Sequence, residues 1–245
     1  MAAKTRLDQA VYQRGLTDSR EQARRMVLAG EVRVDGHMVD KPATKVPDEC
    51  EITVKERPRF VSRGGLKLEG AIDAFGVDVS GMVGLDIGSS TGGFTDCLLQ
   101  KGAAKVYGFD VGTNQLVWKL RQDPRVILRE QFNARNLTPE DVGEPVDIVV
   151  IDVSFISLLL VLAPAIALMR SGAHAICLIK PQFELGRDRV GKGGIVREPE
   201  FHEEAVEKVR RFVEEAEGIE WQGVIDSPIK GTDGNKEFLT WIRKT

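Results

Sequence analysis

The chain has 245 residues, 42% of them hydrophobic and 29% charged, which is enough apolar material for one large and one small domain. Its net charge of −3 excludes a polycation that coats nucleic acid along its whole length, yet residues 1–60 are net basic and the remainder net acidic. The longest nearly uninterrupted apolar run, Leu158 to Met169, contains Pro164 and falls well short of the ~20 residues of a spanning helix. Met1 to Arg6 hold no apolar core of signal type, so the sequence predicts a cytoplasmic protein with no membrane role. Cys50, Cys97 and Cys177 stand far apart, as do His37, His174 and His202, and neither set has the spacing of a disulfide framework or a metal centre; no metal is expected.

Residues 5–16 read as a short helix. Asp18 and Glu21 then read as a capping box opening a second helix, Ser19 to Ala29, stopped by Gly30. Ala23, Met26 and Val27 share one face of it, while Arg20 and Arg24, four apart, project together beside Arg25, with Lys4, Arg6 and Arg14 extending the basic surface. Val32-Arg33-Val34 and His37-Met38-Val39 flank Asp35-Gly36, a strong hairpin signal. The Arg6-Leu7-Asp8 start, the Ser-Arg-x-x-Ala helix from Ser19 and the Val-x-Val-Asp-Gly hairpin resemble the small RNA-binding module of the "S-four" type. The resemblance implies that residues 1–55 form such a domain and that Arg6, Arg20, Arg24, Arg25 and Arg33 face structured RNA.

The charged, proline-bearing stretch Lys55 to Arg59 marks a link, placed at residues 56–62, and a second domain is expected over 63–245. Arg63 heads it, ahead of the paired glycines Gly64 and Gly65, and is grouped with the RNA-facing residues. Leu68, Ala71, Ile72 and Phe75 follow at helical spacing. Next comes the most informative segment, an apolar run ending in Asp86 and Ile87 followed by Gly88, Ser89, Ser90, Gly92, Gly93 and Phe94, which reads as strand, glycine turn and helix. Ser90 stands where a dinucleotide fingerprint has its central glycine, so a nucleoside ligand without phosphates suits the loop better. Asp110, ending the next apolar run, lies ~20 residues beyond Gly88, the distance at which a carboxylate meets a ribose hydroxyl pair. S-adenosylmethionine has that ribose and no phosphate.

Strand and helix signals then alternate. Strands are expected at Val83–Ile87, Val106–Phe109, Val126–Leu128, Ile148–Ile151 and Ala175–Ile179, helices from Phe94 and from Ser157 and over Glu200–Glu217, and Trp221–Ile225 with Phe238–Ile242 as an antiparallel closing pair. The fold class is therefore α/β, a Rossmann-like seven-stranded sheet of the S-adenosylmethionine-dependent methyltransferase kind, preceded by a small α+β domain.

Asp152 directly follows a buried-strand run, and Lys180, held extended by Pro181, ends another, so both reach the carboxyl rim of the sheet. Glu237 starts the last strand after a glycine turn, and Lys67 follows the paired glycines. Lys67, Asp152, Lys180 and Glu237 together resemble the Lys-Asp-Lys-Glu set of the FtsJ-related RNA ribose 2′-O-methyltransferases. With Val-Ser-Arg-Gly-Gly-Leu-Lys-Leu-Glu from Val61, Ile-Asp-Val-Ser-Phe-Ile-Ser-Leu from Ile151 and Lys-Pro-Gln-Phe-Glu from Lys180, the chain is similar to the TlyA family, also called hemolysin A.

The resemblance implies methyl transfer from S-adenosylmethionine to the ribose 2′-hydroxyl of cytidine in ribosomal RNA, with ribosomal subunits as partners. It makes Lys180 the general base or proton shuttle, Asp152 its orienting partner, and Lys67 and Glu237 the groups that position the hydroxyl. Lys180 must be neutral to accept a proton; burial and Lys67 favour that form, while Asp152 and Glu237 oppose it. Gly88, Ser90, Gly92, Gly93 and Phe94 are expected beside the methionine end, with Asp86 and Ser89 in the same loop, Asp110 at the ribose, and Asn133 and Ala134 at the adenine. Residues 186–194 read equally as an RNA-gripping lid or a plain loop. Two other classes compete: a membrane-lytic protein, and an RNA-binding assembly factor whose methyltransferase part is inactive.

Overall fold

The computed structural model describes residues 4–55 and 58–245, and it divides between Pro58 and Arg59 into two compact units. Met1 to Ala3, and Glu56 and Arg57 of the expected link, lie outside the described residues.

The first unit contains β1 (Lys4–Arg6), α1 (Leu7–Gln13), α2 (Arg20–Leu28), β2 (Val32–Val34), β3 (His37–Met38), β4 (Lys45–Pro47) and β5 (Ile52–Val54). The single helix expected over 5–16 is shorter, because Thr5 and Arg6 are extended and pair antiparallel with Val46 and Lys45. At its other end Gly15 turns left-handed at φ +71, a conformation glycine enters without a Cβ penalty, and ends the helix. The cap of α2 is one residue later than expected. Ser19 Oγ accepts the Gln22 amide at 3.2 Å, and Gln22 Oε1 accepts from the Asp18 amide at 3.3 Å, so Ser19 is the cap and the expected Asp18–Glu21 box does not form. Asp35 and Gly36 both have positive φ, as a two-residue hairpin turn requires, and they set Val34 opposite His37. Leu7, Val11, Ala23, Val27 and Val32 form the interior of this unit.

The second unit runs α3 (Gly64–Phe75), β6 (Val83–Ile87), α4 (Gly93–Gln100), β7 (Lys105–Phe109), α5 (Trp118–Arg121), β8 (Val126–Arg129), α6 (Pro139–Val142), β9 (Val146–Ile151), α7 (Leu159–Ile166), β10 (Met169–Ile179), α8 (Pro181–Glu184), α9 (Pro199–Glu215), β11 (Ile219–Asp226) and β12 (Phe238–Lys244). Seven strands form one sheet in the order β11-β12-β10-β9-β6-β7-β8, parallel except for β12, which is antiparallel to both neighbours. This is the Rossmann-like methyltransferase sheet that the alternating signals predict. Leu85, Ile87, Val149 and Ile151 pack on one face with α7 and α9; Val106, Ile148, Val150 and Ile176 pack on the other with α3, α4 and α5. Burial on both faces explains why the central strands read as unbroken apolar runs.

The chain leaves β6 toward β7 and β8 on one side, then returns to place β9 on the other. The order reverses between β6 and β9, and in open α/β sheets the crevice at such a point holds the ligand. The Asp152 amide donates to the Ile87 carbonyl at 3.0 Å, which locks the ends of those two strands together.

Candidate functional site

Gly88 turns at φ +83, and a Cβ there would lie 2.2 Å from the Asp152 carbonyl oxygen, so only glycine lets the chain leave β6 this close to the end of β9. Gly93 opens α4 against the start of α3; a Cβ would meet Ser62 Oγ at 2.2 Å and the Gly64 Cα at 3.1 Å. The two helix starts therefore touch through glycine, which brings Lys67 toward the turn. Ser90 adopts φ +45, donating its amide to Asp110 Oδ2 at 2.7 Å and its hydroxyl to Gln115 at 3.1 Å.

A cavity of about 550 Å³ opens at the switch point. Gly88, Ser89, Ser90, Thr91, Gly93 and Phe94 line one side of it; Lys67, Asp152, Ser154, Lys180 and Glu237 line the other. Lys67 Nζ donates to Glu237 Oε2 at 2.6 Å, and Lys180 Nζ lies 2.5 Å from Asp152 Oδ1 and donates to Ser154 Oγ at 2.9 Å. All four of the charged residues expected at the rim thus meet in one cavity as two ion pairs. Lys67, Lys180 and Glu237 are buried, whereas Asp152 is partly open to solvent. Gly231 makes room for this, since a Cβ there would sit 2.4 Å from Glu237 Oε1. Ser62, Arg63, Gly64, Lys230 and Thr232 complete the lining, and the Arg63 guanidinium donates to the Lys230 carbonyl at 2.6 Å.

Asp86 is fully buried at the end of β6. Burial, reinforced by the negative fields of Asp152 and Asp110 and opposed by a hydrogen bond from Thr95, pushes its carboxyl up to about 7. Thr95 donates to Oδ2 at 2.6 Å, but Oδ1 has no partner, and neither has the buried Ser89 hydroxyl. Such orphaned polar atoms are costly unless a ligand uses them.

The remaining donor-side residues do not line the cavity. Gly92 caps α4 at φ +98, with Leu116 and Leu120 filling the space a Cβ would take. Asp110 accepts from the Ser90 and Gly112 amides, both at 2.7 Å. Asn133 accepts from the Arg135 amide at 3.1 Å, capping a turn over Ala134–Asn136, and Ala134 packs in the core.

Ser154 in the cavity, and Phe155 and Glu184 outside it, escaped the sequence reading. Ser154 holds the Lys180 amine. Phe155 is 88% exposed at φ +67, its ring 5.3 Å from that of Phe183. Glu184 is a buried carboxylate bound to the segment that carries both. Ser154 and Phe155 lie two and three residues after Asp152, and that position just beyond a strand end was the signal available.

In the first unit Arg6, Arg20 and Arg24 line a separate hollow of about 460 Å³ beside Pro42 and Ala43. Arg6 bonds Asp8 at 3.0 Å and 3.2 Å, and Arg20 bonds it at 3.2 Å. Burial alone would raise the Asp8 carboxyl, but the two guanidiniums hold it below the usual carboxylate range. Arg25 is exposed on α2 outside this hollow, and Arg33 donates to the Gly36 carbonyl at 3.1 Å across its own hairpin. Arg14, which was grouped with the basic surface, instead donates to the carbonyls of Cys50 and Asp48 at 2.6 Å and 2.8 Å. Among the described residues no helix is long and apolar enough to cross a membrane, and no group of three or more His, Cys, Asp or Glu is placed to hold a metal ion.

A family model described as FtsJ-like methyltransferase matches residues 60–244, and one described as S4 domain matches residues 5–52. The 16S/23S rRNA (cytidine-2′-O)-methyltransferase TlyA of Mycobacterium tuberculosis is 47% identical over 246 residues, covering 99% of this chain and 91% of its own. Hemolysin A of Brachyspira hyodysenteriae is 43% identical over 235 residues, covering 96% and 98%. The solved structure of a Streptococcus thermophilus protein named as a hemolysin is 48% identical and superimposes at a TM-score of 0.74, covering 100% of this chain and 90% of that one.

Proposed function

We propose that this chain, which belongs to the FtsJ-like methyltransferase family, transfers a methyl group from S-adenosylmethionine to the 2′-hydroxyl of a cytidine ribose in ribosomal RNA, the target named for its Mycobacterium tuberculosis relative. The observation that carries this reading is that two lysine–carboxylate pairs share one cavity with the glycine turn. We take residues 1–55 as the RNA-binding domain, 56–62 as the link and 63–245 as the catalytic domain, with ribosomal subunits as partners and the cytoplasm as the place of action.

The glycine side suits S-adenosylmethionine. The unpartnered Ser89 hydroxyl and Asp86 Oδ1 match a ligand with polar groups, and α4 begins at a glycine with no side-chain cap, which leaves helix-terminal amides for a carboxylate. Gly88, Ser89, Ser90, Gly92, Gly93 and Phe94 would hold the methionine portion, with Asp86 answering its ammonium. Asp110 has lone pairs left for ribose hydroxyls beyond the two amides it accepts, and Asn133 and Ala134 are assigned to the adenine. When bound, the sulfonium supplies an activated methyl carbon.

A ribose hydroxyl hardly ionises at neutral pH, so the chain's own task is to remove its proton and hold its oxygen in line. Once its ammonium has given a proton to water by way of Asp152, Lys180 accepts the hydroxyl proton at Nζ, oriented by Asp152 and Ser154. Asp152, the most solvent-accessible of the four, passes protons between Lys180 and water. Lys67, its charge balanced by Glu237, donates to the hydroxyl oxygen and stabilises the negative charge that develops there. Phe155 offers an exposed aromatic face on which a base turned out of its stack can rest, and Arg63 with the arginines of the first domain attracts the phosphate backbone.

The test is transfer of labelled methyl groups to isolated small and large ribosomal subunits, followed by mapping of the modified nucleotide. Lys180→Ala should lower the single-turnover rate by about 10³-fold while S-adenosylmethionine still binds. No incorporation by the parent protein into either subunit would remove the reading.

A further inference from the structure

Glu184 lies one turn beyond Lys180, at the end of α8, and is buried although it carries a full carboxylate. Both of its oxygens accept hydrogen bonds. Oε2 accepts from the Ser157 hydroxyl at 2.6 Å and from Lys208 Nζ of α9 at 3.3 Å; Oε1 accepts from the Leu158 amide at 2.6 Å. The Lys208 ammonium also donates to the Glu184 backbone carbonyl at 2.6 Å, so α9 fixes both ends of this residue. None of these groups lines the cavity.

Resting on the proposed methyl transfer, we infer that Glu184 is a positioning residue that keeps Ser154 on the Lys180 amine by anchoring the rear of the segment Asp152–Leu158. The front of that segment is held by the Asp152 amide on the Ile87 carbonyl and by the Asp152–Lys180 pair. The rear packs Leu158 and Ile156 against the core, and its polar anchor is Glu184, which receives the Ser157 hydroxyl and the Leu158 amide at the start of α7. Between the two anchors sits Phe155 at φ +67, a left-handed conformation that an aromatic residue leaves when its neighbours stop enforcing it. Release of the rear anchor lets Phe155 relax, and Ser154, the adjoining residue, turns away from Nζ. Lys180 and Glu184 thus grip one loop from a single helical turn, Lys180 at Ser154 and Glu184 at Ser157 and Leu158.

The test compares the parent, Glu184→Gln, Ser154→Ala and the double variant in single-turnover methyl transfer to ribosomal subunits at saturating S-adenosylmethionine. Glu184→Gln should slow transfer about 10-fold with cofactor affinity changed less than about twofold, and in the Ser154→Ala background the same change should cost under about twofold. Equal factors in both backgrounds would mean a merely structural carboxylate and would overturn the inference. Amide exchange across residues 153–158 supplies a readout independent of catalysis. It should rise about 10-fold or more in Glu184→Gln while β6 and β9 keep their protection, and unchanged exchange there would also overturn the inference. Should Glu184→Gln fail to fold, Ser157→Ala removes one of the bonds and gives the same direction with a smaller factor. A parent protein that transfers no methyl group defeats the proposed function, and the exchange measurement then decides on Glu184 alone.

Discussion

Both units bury a carboxylate against cations, but they do so in opposite senses. In the first, Asp8 is buried while Arg6 and Arg20 keep 43% and 53% of their side-chain surface in solvent; in the second, Lys67 and Glu237 retain only 10% and 3%. A carboxylate beneath two exposed guanidiniums fixes their direction and leaves their outer faces to a polyanion. Two charges withdrawn together from water gain little net stability, because desolvation offsets their attraction. The first arrangement displays charge, and the second withdraws it from solvent.

The largest effect that would break this contrast is expected at the buried pair. Lys67→Met leaves Glu237 charged and unpaired and should destabilise the chain by about 3–5 kcal/mol, whereas adding Glu237→Leu should restore most of that loss without restoring methyl transfer. Urea denaturation of the three proteins checks it, and a single variant as stable as the parent would show that the pair is not desolvated. Next comes Asp86, whose folded carboxyl titrates at about 7, above its unfolded value of 3.8. The stability it lends is full below the unfolded value and is lost as pH rises through about 7. Asp86→Asn does not titrate, so it should gain on the parent by on the order of 3 kcal/mol between about pH 4 and about pH 8. A gap between the two that stays constant with pH would refute the shift. The smallest stability effect belongs to the display side. Arg20→Ala should change unfolding free energy by less than about 1 kcal/mol, yet reduce the salt slope of ribosomal RNA binding by about one charge; an unchanged slope would place RNA elsewhere.

The sheet was legible in the sequence because strands covered on both faces need apolar runs, and a charge directly after such a run falls at the strand's end; Asp152 and Lys180 are of this kind. The glycine turn was legible because Gly88 and Gly93 answer close backbone approaches that no other residue tolerates. What escaped depends on partners far away in the chain. Glu184 looks like an ordinary helix charge until Ser157, Leu158 and Lys208 are seen around it, and Arg14 looks like a basic surface residue until its two carbonyl acceptors appear. The first few residues were misread for a related reason: Thr5 is a strand residue only because Val46 lies beside it. Ser19 displaced Asp18 as the cap because two adjacent residues of capping type leave the choice to backbone geometry.

Because β12 runs against every neighbour, its opening residue sits where the parallel strands finish, and Glu237 reaches Lys67 across 170 positions of sequence. A ribosome making this protein therefore releases no working catalyst piecemeal. Until the strand between β10 and β11 has been synthesised and threaded into place, the polypeptide has a glycine turn and two lysines but lacks the acid that balances one of them.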